Sequence, residues 1–326
     1  VMYLHGDAEW LDAAARLAIR ARPLSRPNPS VGAIIVRDGR VQGRGWTKAG
    51  GRPHAEAVAL AQAGPNAAGA TLYTTLEPCA HASPRGPTCA DLCSAAELKR
   101  AVIGLEDPDP RTAGSGIARL VAAGVAVTVL DRPPVRSSLA GYLCRARYGR
   151  PHVTLKLATS LDGCIALENG ESRWITGEDA RRHVHSRRAM ADAILVGGET
   201  WRTDRPSLDV RLPGLKARSP RRLVLTRKAA PGGIEAIGSP SGIHQLGDVQ
   251  YLYVEGGAQT AAAFLQGDLV DTLHLYQAPV LIGAGRQALG DIGLSDLAAA
   301  HERWAVSDSR QLGSDRFTAY ERIRSA

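Results

Sequence analysis

His54-Ala55-Glu56 and Thr75-Leu76-Glu77-Pro78-Cys79 are the two stretches on which the fold and chemistry of this chain turn. The first opens a predicted helix, from about His54 to Ala63, that Gly64-Pro65 stops. The second ends a predicted strand, Thr71 to Leu76, and runs straight into a loop. The helix start places His54 and Glu56 side by side at one end of a sheet, level with a cysteine. Those residue types suit a catalytic zinc centre, which takes about three protein ligands and leaves one position open. A lone His-x-Glu or a lone buried cysteine would mean little. Their joint placement, on a helix start and at a strand end, carries the inference.

Deaminases of cytosine- and adenine-type rings use this chemistry, with His-x-Glu, two cysteines and the glutamate as proton shuttle, not ligand. His54 and Cys79 are then the first two metal ligands. Glu56 carries the proton from the attacking water to the leaving amine. The generic spacing of the cysteines is Pro-Cys-x2-Cys, yet nine residues lie between Cys79 and Cys89 here. Cys89 is preferred as third ligand because it opens a short predicted helix (about Ala90 to Lys99), where backbone dipoles favour a thiolate. Cys93, one helical turn later, is the substitute.

Working outward, Asp7 starts a predicted helix to about Arg22, with Leu11, Ala14, Leu17 and Ala18 at helical spacing. Pro23 to Pro29 breaks it. Val31 to Val36 reads as a buried strand, and Asp38-Gly39 turns it into a second one ending near Trp46. Strands at Ala101 to Leu105 and Val125 to Leu130 flank a helix at Gly116 to Ala122, completing an α/β sandwich. After the break at Asp131-Arg132-Pro133-Pro134, Val135 to Tyr148 reads as one connecting helix. The boundary falls near Gly149-Arg150-Pro151, giving domains 1–149 and 150–326. Strands at Val153 to Ala158, Ala193 to Val196, Arg222 to Thr226, Tyr251 to Val254 and Thr272 to Gln277, separated by helical stretches, make the second domain α/β as well.

A chain of 326 residues is long enough for two cores. With 44% hydrophobic and 22% charged residues it has the balance of a globular protein. Apolar runs of membrane-spanning length do not occur, so no membrane partner is expected. Val1 to Asp7 lacks a secretory pattern and reads as a ragged start. The net charge is +8, from 35 Arg and 5 Lys against 32 acidic residues. The arginines are scattered rather than blocked, which suits solvated side chains and phosphate ligands better than a nucleic-acid surface. Five cysteines make an odd set, the pattern of a reducing, cytoplasmic compartment.

The motifs together resemble the bifunctional deaminase–reductase family of bacterial riboflavin biosynthesis, from about Asp7 to Tyr320. The first half shows Pro27-Asn28-Pro29-Ser30-Val31-Gly32, His54-Ala55-Glu56, Thr75 to Cys79 and Asp107-Pro108-Asp109-Pro110. The second shows Leu155 to Gly163, Glu171 to Thr176, Asp204 to Leu208 and Val254-Glu255-Gly256-Gly257. The resemblance implies a cytidine-deaminase-like α/β/α sandwich followed by a dihydrofolate-reductase-like α/β domain. It also accounts for the long loop between the zinc cysteines, where the family usually has eight residues and this chain nine. It implies that Asn28, His81, Arg85 and Asp107 line the deaminase pocket, with Arg85 on the ribose phosphate. Position 109, an Asn in the common family motif, is Asp here.

In the second half no G-x-G-x-x-G follows a strand, so a Rossmann fold is not expected. Instead Val254 to Gly257 closes a strand and starts a helix, whose first amides suit a pyrophosphate. Leu195-Val196-Gly197-Gly198-Glu199-Thr200 repeats that pattern. Taken alone, either run is equally a tight turn. The resemblance implies an NADPH-dependent reductase that converts the ribosyl chain to a ribityl chain. By it, Lys156, Ser172, Arg188, Leu208, Arg211 and Glu255 contact substrate, the arginines suiting its phosphate. Ala158, Trp174, Thr176, Thr200, Asp204, Gly256 and Gly257 contact NADPH. Lys156, Asp204 and Glu255 are the polar candidates around the reacting carbon, unranked. Pro231 to Val249 is short and glycine-rich where the family usually has a further strand and helix.

The implied cofactors are Zn2+ and NADPH, and the implied partners are phosphorylated pyrimidines. A homo-oligomer is expected, with no nucleic-acid partner. The competing reading is an RNA or nucleoside base deaminase with an accessory C-terminal domain. It predicts short cysteine spacing and aromatic RNA surfaces, against an aromatic content of 5%. A third is a purely structural zinc site, in which Glu56 would be idle.

Overall fold

The computed structural model describes residues 6–228 and 234–324. Of the ragged start expected over Val1 to Asp7, residues 1–5 lie outside the described residues, as do residues 231–233, while Gly6 is the N-cap and Asp7 the first residue of the first helix. The chain divides into two compact units, Val1–Gly149 and Arg150–Ala326.

The first unit runs α1 (Asp7–Ala18), β1 (Gly32–Arg37), β2 (Arg40–Trp46), α2 (Ala55–Ala63), β3 (Thr71–Thr74), α3 (Cys89–Ala95), β4 (Arg100–Ile103), α4 (Ser115–Ala122), β5 (Ala126–Val129), α5 (Pro133–Ser138) and α6 (Ala140–Tyr148). Its sheet has the order β2-β1-β3-β4-β5. The β1 strand is antiparallel to both neighbours, and β3, β4 and β5 are parallel. Glycines stand where helices press on the hairpin. A Cβ on Gly32 would lie 2.0 Å from the Ala14 carbonyl oxygen of α1. On Gly43 and Gly45 it would lie 2.1 and 2.2 Å from the Ala59 and Ala55 carbonyl oxygens of α2. Gly32 pairs with Trp46, one residue out of phase with Gly45 on the alternating faces, so α1 and α2 cover opposite faces. Leu11, Ile35, Leu72, Ile103 and Leu120 fill the core.

Several boundaries differ from expectation, among them the ends of α1 at Ala18 and of α3 at Ala95, short of the expected Arg22 and Lys99. The β3 strand stops at Thr74, whose hydroxyl donates to the Leu76 carbonyl at 3.1 Å and turns the chain toward the site. The single helix expected over 135–148 breaks at Leu139, where φ −103° and ψ 4° leave the helical region.

The second unit runs β6 (His152–Thr159), β7 (Cys164–Ala166), α7 (Glu178–Arg188), β8 (Ala193–Gly197), α8 (Gly198–Asp204), β9 (Arg221–Leu225), β10 (Glu235–Ile237), β11 (Tyr251–Val254), α9 (Ala258–Gln266), β12 (Thr272–Gln277), β13 (Arg286–Gln287), β14 (Trp304–Leu312) and β15 (Asp315–Arg322). Its main sheet has the order β10-β9-β8-β11-β6-β12-β15-β14. Strands from β10 through β12 are parallel, and the β14–β15 hairpin adds on antiparallel. The β8 strand is buried throughout, as a strand covered on both faces must be. Its Ala193 and Leu195 pack with Phe264 of α9, while Ile194 and Val196 pack with Ala180 and Val184 of α7.

The expected strands stop at Gln277, so the terminal hairpin was missed. Its outer strand has exposed apolar and polar residues mixed, which blurs the alternation. The described residues of the short segment include a three-residue strand, β10, and a 3-10 turn, Pro240–Gln245.

Candidate functional site

In the first unit, His54 is the residue before α2 and Cys89 the first residue of α3. The Thr88 hydroxyl caps α3 by accepting from Asp91 N at 3.1 Å. Two further amides at that helix start rest on Cys79: Cys89 N donates to its Sγ at 3.4 Å and Ala90 N to its carbonyl at 3.1 Å. The nine-residue loop therefore leaves Cys79 and returns to it. Its ends set Cys79 Sγ 3.4 Å and Cys89 Sγ 3.3 Å from His54 Nδ1.

All three donor atoms lie within 4.8 Å of one another. Bond lengths of about 2.3 Å to sulfur and 2.0 Å to nitrogen give a tetrahedral S···N edge of about 3.5 Å, so the set fits zinc. Cys93 is fully buried in the hydrophobic core and stands outside this cluster. A hydrogen bond from the Cys89 thiol holds Cys79 down to about 4, and Cys89, which keeps the proton, is pushed up. For His54, burial pulls downward, but the Cys79 hydrogen bond and the Glu56 charge outweigh it and the shift is upward. Glu56 is buried in the first turn of α2, with the Thr74 hydroxyl 3.4 Å from its Oε1. Burial raises its carboxyl, opposed by His54, which suits a group that must take up and release a proton.

Of the expected pocket residues, His81 Nδ1 lies 3.1 Å from the hydroxyl of buried Thr112. Arg85 donates to the Gly50 carbonyl at 2.8 Å. The Asn28 side chain fills the space that a Cβ on Gly51 would need, 2.4 Å from its Cγ, so Asn28 and Arg85 meet one turn just before His54. Asp107 is buried and accepts the Tyr142 hydroxyl at 2.6 Å. Asp109 is held by Arg111 through both carboxylate oxygens, at 3.0 and 2.5 Å, which lowers its pKa. Thr74, Glu77, Thr112 and Tyr142 were missed by the sequence analysis; Glu77 lies inside a motif quoted there.

In the second unit the two glycine runs end adjacent parallel strands, β8 and β11. They meet around Thr260: a Cβ on Gly197 would lie 2.3 Å from its Oγ1, and one on Gly256 2.5 Å from its Cβ. Thr200 Oγ1 lies 3.8 Å from where Gly257 would carry a Cβ. The two glycine runs thus let the start of α9 pack closely against both strand ends. Beside it, Glu255 accepts Arg188 Nε at 2.6 Å and Nη2 at 3.0 Å, and its Oε2 lies 3.8 Å from Lys156 Nζ. Burial pulls Lys156 down. Burial pushes Glu255 up, but Arg188 and Lys156 bring it below the usual range.

The remaining expected residues are more dispersed. Leu208 is buried at φ +53°, and Ala158 packs at the edge of the core shared with α7. Arg211 is 60% exposed and tied to Asp209 and Ser207. Ser172 is exposed, and Trp174 is 67% exposed with the Arg181 guanidinium 4.8 Å from its ring. Arg181 also donates to the Thr176 carbonyl, and Asp204 lies 3.8 Å from Arg173.

A three-layer α/β sandwich whose His and two Cys converge beside a buried Glu, followed by a parallel-sheet domain with glycine-lined strand ends, defines a zinc-type deaminase fused to a reductase-type domain. Residues 5–105 match the family model for the cytidine and deoxycytidylate deaminase zinc-binding region. Residues 151–232 and 243–317 match that for the RibD C-terminal domain, the break falling in the shortened segment. The chain is 36% identical to the riboflavin biosynthesis protein RibD of Escherichia coli, over 95% of this chain and 97% of that one. It superposes on Acinetobacter baumannii RibD with a TM-score of 0.86 at 32% identity, covering 98% and 99% of the two chains. A Thermotoga maritima diaminohydroxyphosphoribosylaminopyrimidine deaminase/5-amino-6-(5-phosphoribosylamino)uracil reductase gives 0.86 at 30% identity, covering 97% and 99%. The chain belongs to the RibD family, the bifunctional zinc-dependent deaminases and NADPH-dependent reductases of riboflavin biosynthesis. Its two domains have the cytidine-deaminase-like and dihydrofolate-reductase-like folds. Among the described residues no helix is long and apolar enough to cross a membrane.

Proposed function

We propose that residues 1–149 deaminate 2,5-diamino-6-(ribosylamino)pyrimidin-4-one 5′-phosphate and residues 150–326 reduce the ribosyl chain of the product to ribityl. The observation that carries the first step is the convergence of His54, Cys79 and Cys89 beside Glu56. These three would hold zinc, which when bound supplies Lewis acidity that activates water near neutral pH. Glu56 takes a proton from the attacking water at its carboxylate and returns one to the departing 2-amino group, giving ammonia and the aminouracil. Asn28, His81 and Asp107 orient the ring, and Arg85 takes the phosphate.

In the second step NADPH supplies the hydride. Thr200, Gly256, Gly257, Ala158, Trp174, Thr176 and Asp204 would hold it, the α9 start suiting a diphosphate. Ser172, Arg188, Leu208 and Arg211 hold the substrate. Lys156 and Glu255, with Asp204, would supply the polar groups toward the sugar C1′ that accepts hydride. The partners are small phosphorylated pyrimidines; the assembly is a cytoplasmic homo-oligomer without nucleic acid.

The test supplies the diamino substrate with and without NADPH. Ammonia should form in both arms, and NADPH absorbance should fall in one. Glu56→Gln should keep zinc but lose deamination by about a thousandfold or more, while still reducing the aminouracil. Full deamination by that variant removes the shuttle role, and no NADPH turnover by folded protein rejects the reductase assignment.

A further inference from the structure

Glu77 is 2% exposed and carries no role in the chemistry above. Its carboxylate collects four backbone amides from one segment. Oε2 accepts Asp107 N at 3.1 Å and Gly114 N at 3.0 Å, and Oε1 accepts Gly116 N at 2.8 Å and Ile117 N at 3.0 Å. The last two are early amides of α4, whose own N-cap residue, Gly114, offers no side chain. Glu77 is thus the N-cap of a helix distant in sequence, matching a carboxylate to a helix's positive end. The approach is close: a Cβ on Gly116 would lie 2.0 Å from the Pro78 carbonyl oxygen.

The anchored segment carries pocket residues. Asp107 starts it, its carboxylate held by Tyr142 Oη at 2.6 Å, and Thr112 within it holds His81 at 3.1 Å. Asp107 is therefore held by Glu77 at its backbone amide, and at its carboxylate by the Tyr142 hydroxyl and by Asp109 N at 3.0 Å. The strand end that delivers Cys79 also delivers Glu77, so one stretch fixes both the metal donor and the substrate loop.

We propose that Glu77 and Tyr142 are positioning residues for deamination, acting through Asp107, and this rests on the pocket reading of Asp107 given above. In Glu77→Gln the amide's NH2 faces two backbone N–H groups and cannot accept from them. The loop loosens while the zinc donors stay.

The measurement is deaminase kcat and KM on full-length protein, with zinc content, reductase activity and thermal midpoint as controls. Glu77→Gln should raise KM for the diamino substrate about tenfold or more, with kcat changed less than about threefold, zinc near one per chain and reductase activity intact. Tyr142→Phe, a change milder for folding, should raise KM in the same direction by about threefold or more. A lower thermal midpoint with unchanged KM, or loss of zinc in Glu77→Gln, overturns the proposal. If Glu77→Gln does not fold, Tyr142→Phe decides alone, and an unchanged KM there overturns it. Asp107→Asn separates the two levels. If that change leaves KM unaltered the pocket reading falls, and the proposal with it. If it raises KM while both positioning variants behave as wild type, only the positioning fails.

Discussion

In the first unit His54, Cys79 and Cys89 converge on a common point, whereas in the second Arg188, Glu255 and Lys156 converge on one another. The first arrangement gathers three donor atoms within 4.8 Å of one another, a set that fits a metal cation. The second gathers two basic groups about one carboxylate, so its ion pairs hold it together without a ligand. The glycines beside it mark close packing: the Cβ positions of Gly197 and Gly256 are filled by the Thr260 side chain. The metal-type cluster is marked by the donors present, and the glycine runs by side chains that would not fit.

The strongest way to break this contrast is at the third ligand. Cys89→Ser should cut zinc well below one per chain and deamination by about a thousandfold or more, while Cys93→Ser keeps both. Metal analysis showing the reverse would move the ligand to Cys93 and undo the convergence. A smaller effect is expected at the glycines. Gly197→Ala places a methyl 2.3 Å from Thr260 Oγ1 and should raise KM for NADPH about tenfold. Thr260→Ala in the same chain removes that oxygen and should restore most of the loss, a coupling that distant, independent sites do not show. No coupling would mean that the two glycine runs do not act together.

The smallest effect concerns how the second unit tolerates acid. His183 sits against Tyr276 and Phe317, with Arg187, Arg310 and Asp308 around it, and burial together with the arginines holds it down to about 4 from 6.5. The unfolded chain takes up this proton first, so the folded state loses stability as pH falls from 6.5 toward 4. His183→Gln should flatten that decline in thermal midpoint by about a few degrees. An unchanged slope removes His183 as its source.

The first unit was the more legible in sequence. His54 immediately precedes α2 and Cys89 opens α3, so motif and element boundary coincide there, while Cys79 lies in the loop beyond β3. The placement of Glu77 was not legible, because its partners are backbone amides about forty residues on, and an amide has no residue type. In the second unit β8 and β11 were visible as apolar runs. That Gly197 and Gly256 would flank one threonine depends on parallel register, which no local pattern encodes. The β14–β15 hairpin was lost because one strand is largely exposed. The break in the helix expected over 135–148 follows from Leu139 leaving helical geometry between two segments that each favour helix.

Gly32, Gly43 and Gly45 bring one further consequence, for how variation in this chain is interpreted. Each is closed to a methyl group by a helix carbonyl 2.0 to 2.2 Å away, a packing constraint and not a chemical one. In a deep mutational scan they should score as intolerant as the zinc ligands. A survey that equates intolerance with chemistry would draw the catalytic footprint too wide, across a hairpin whose only task is to let two helices come close.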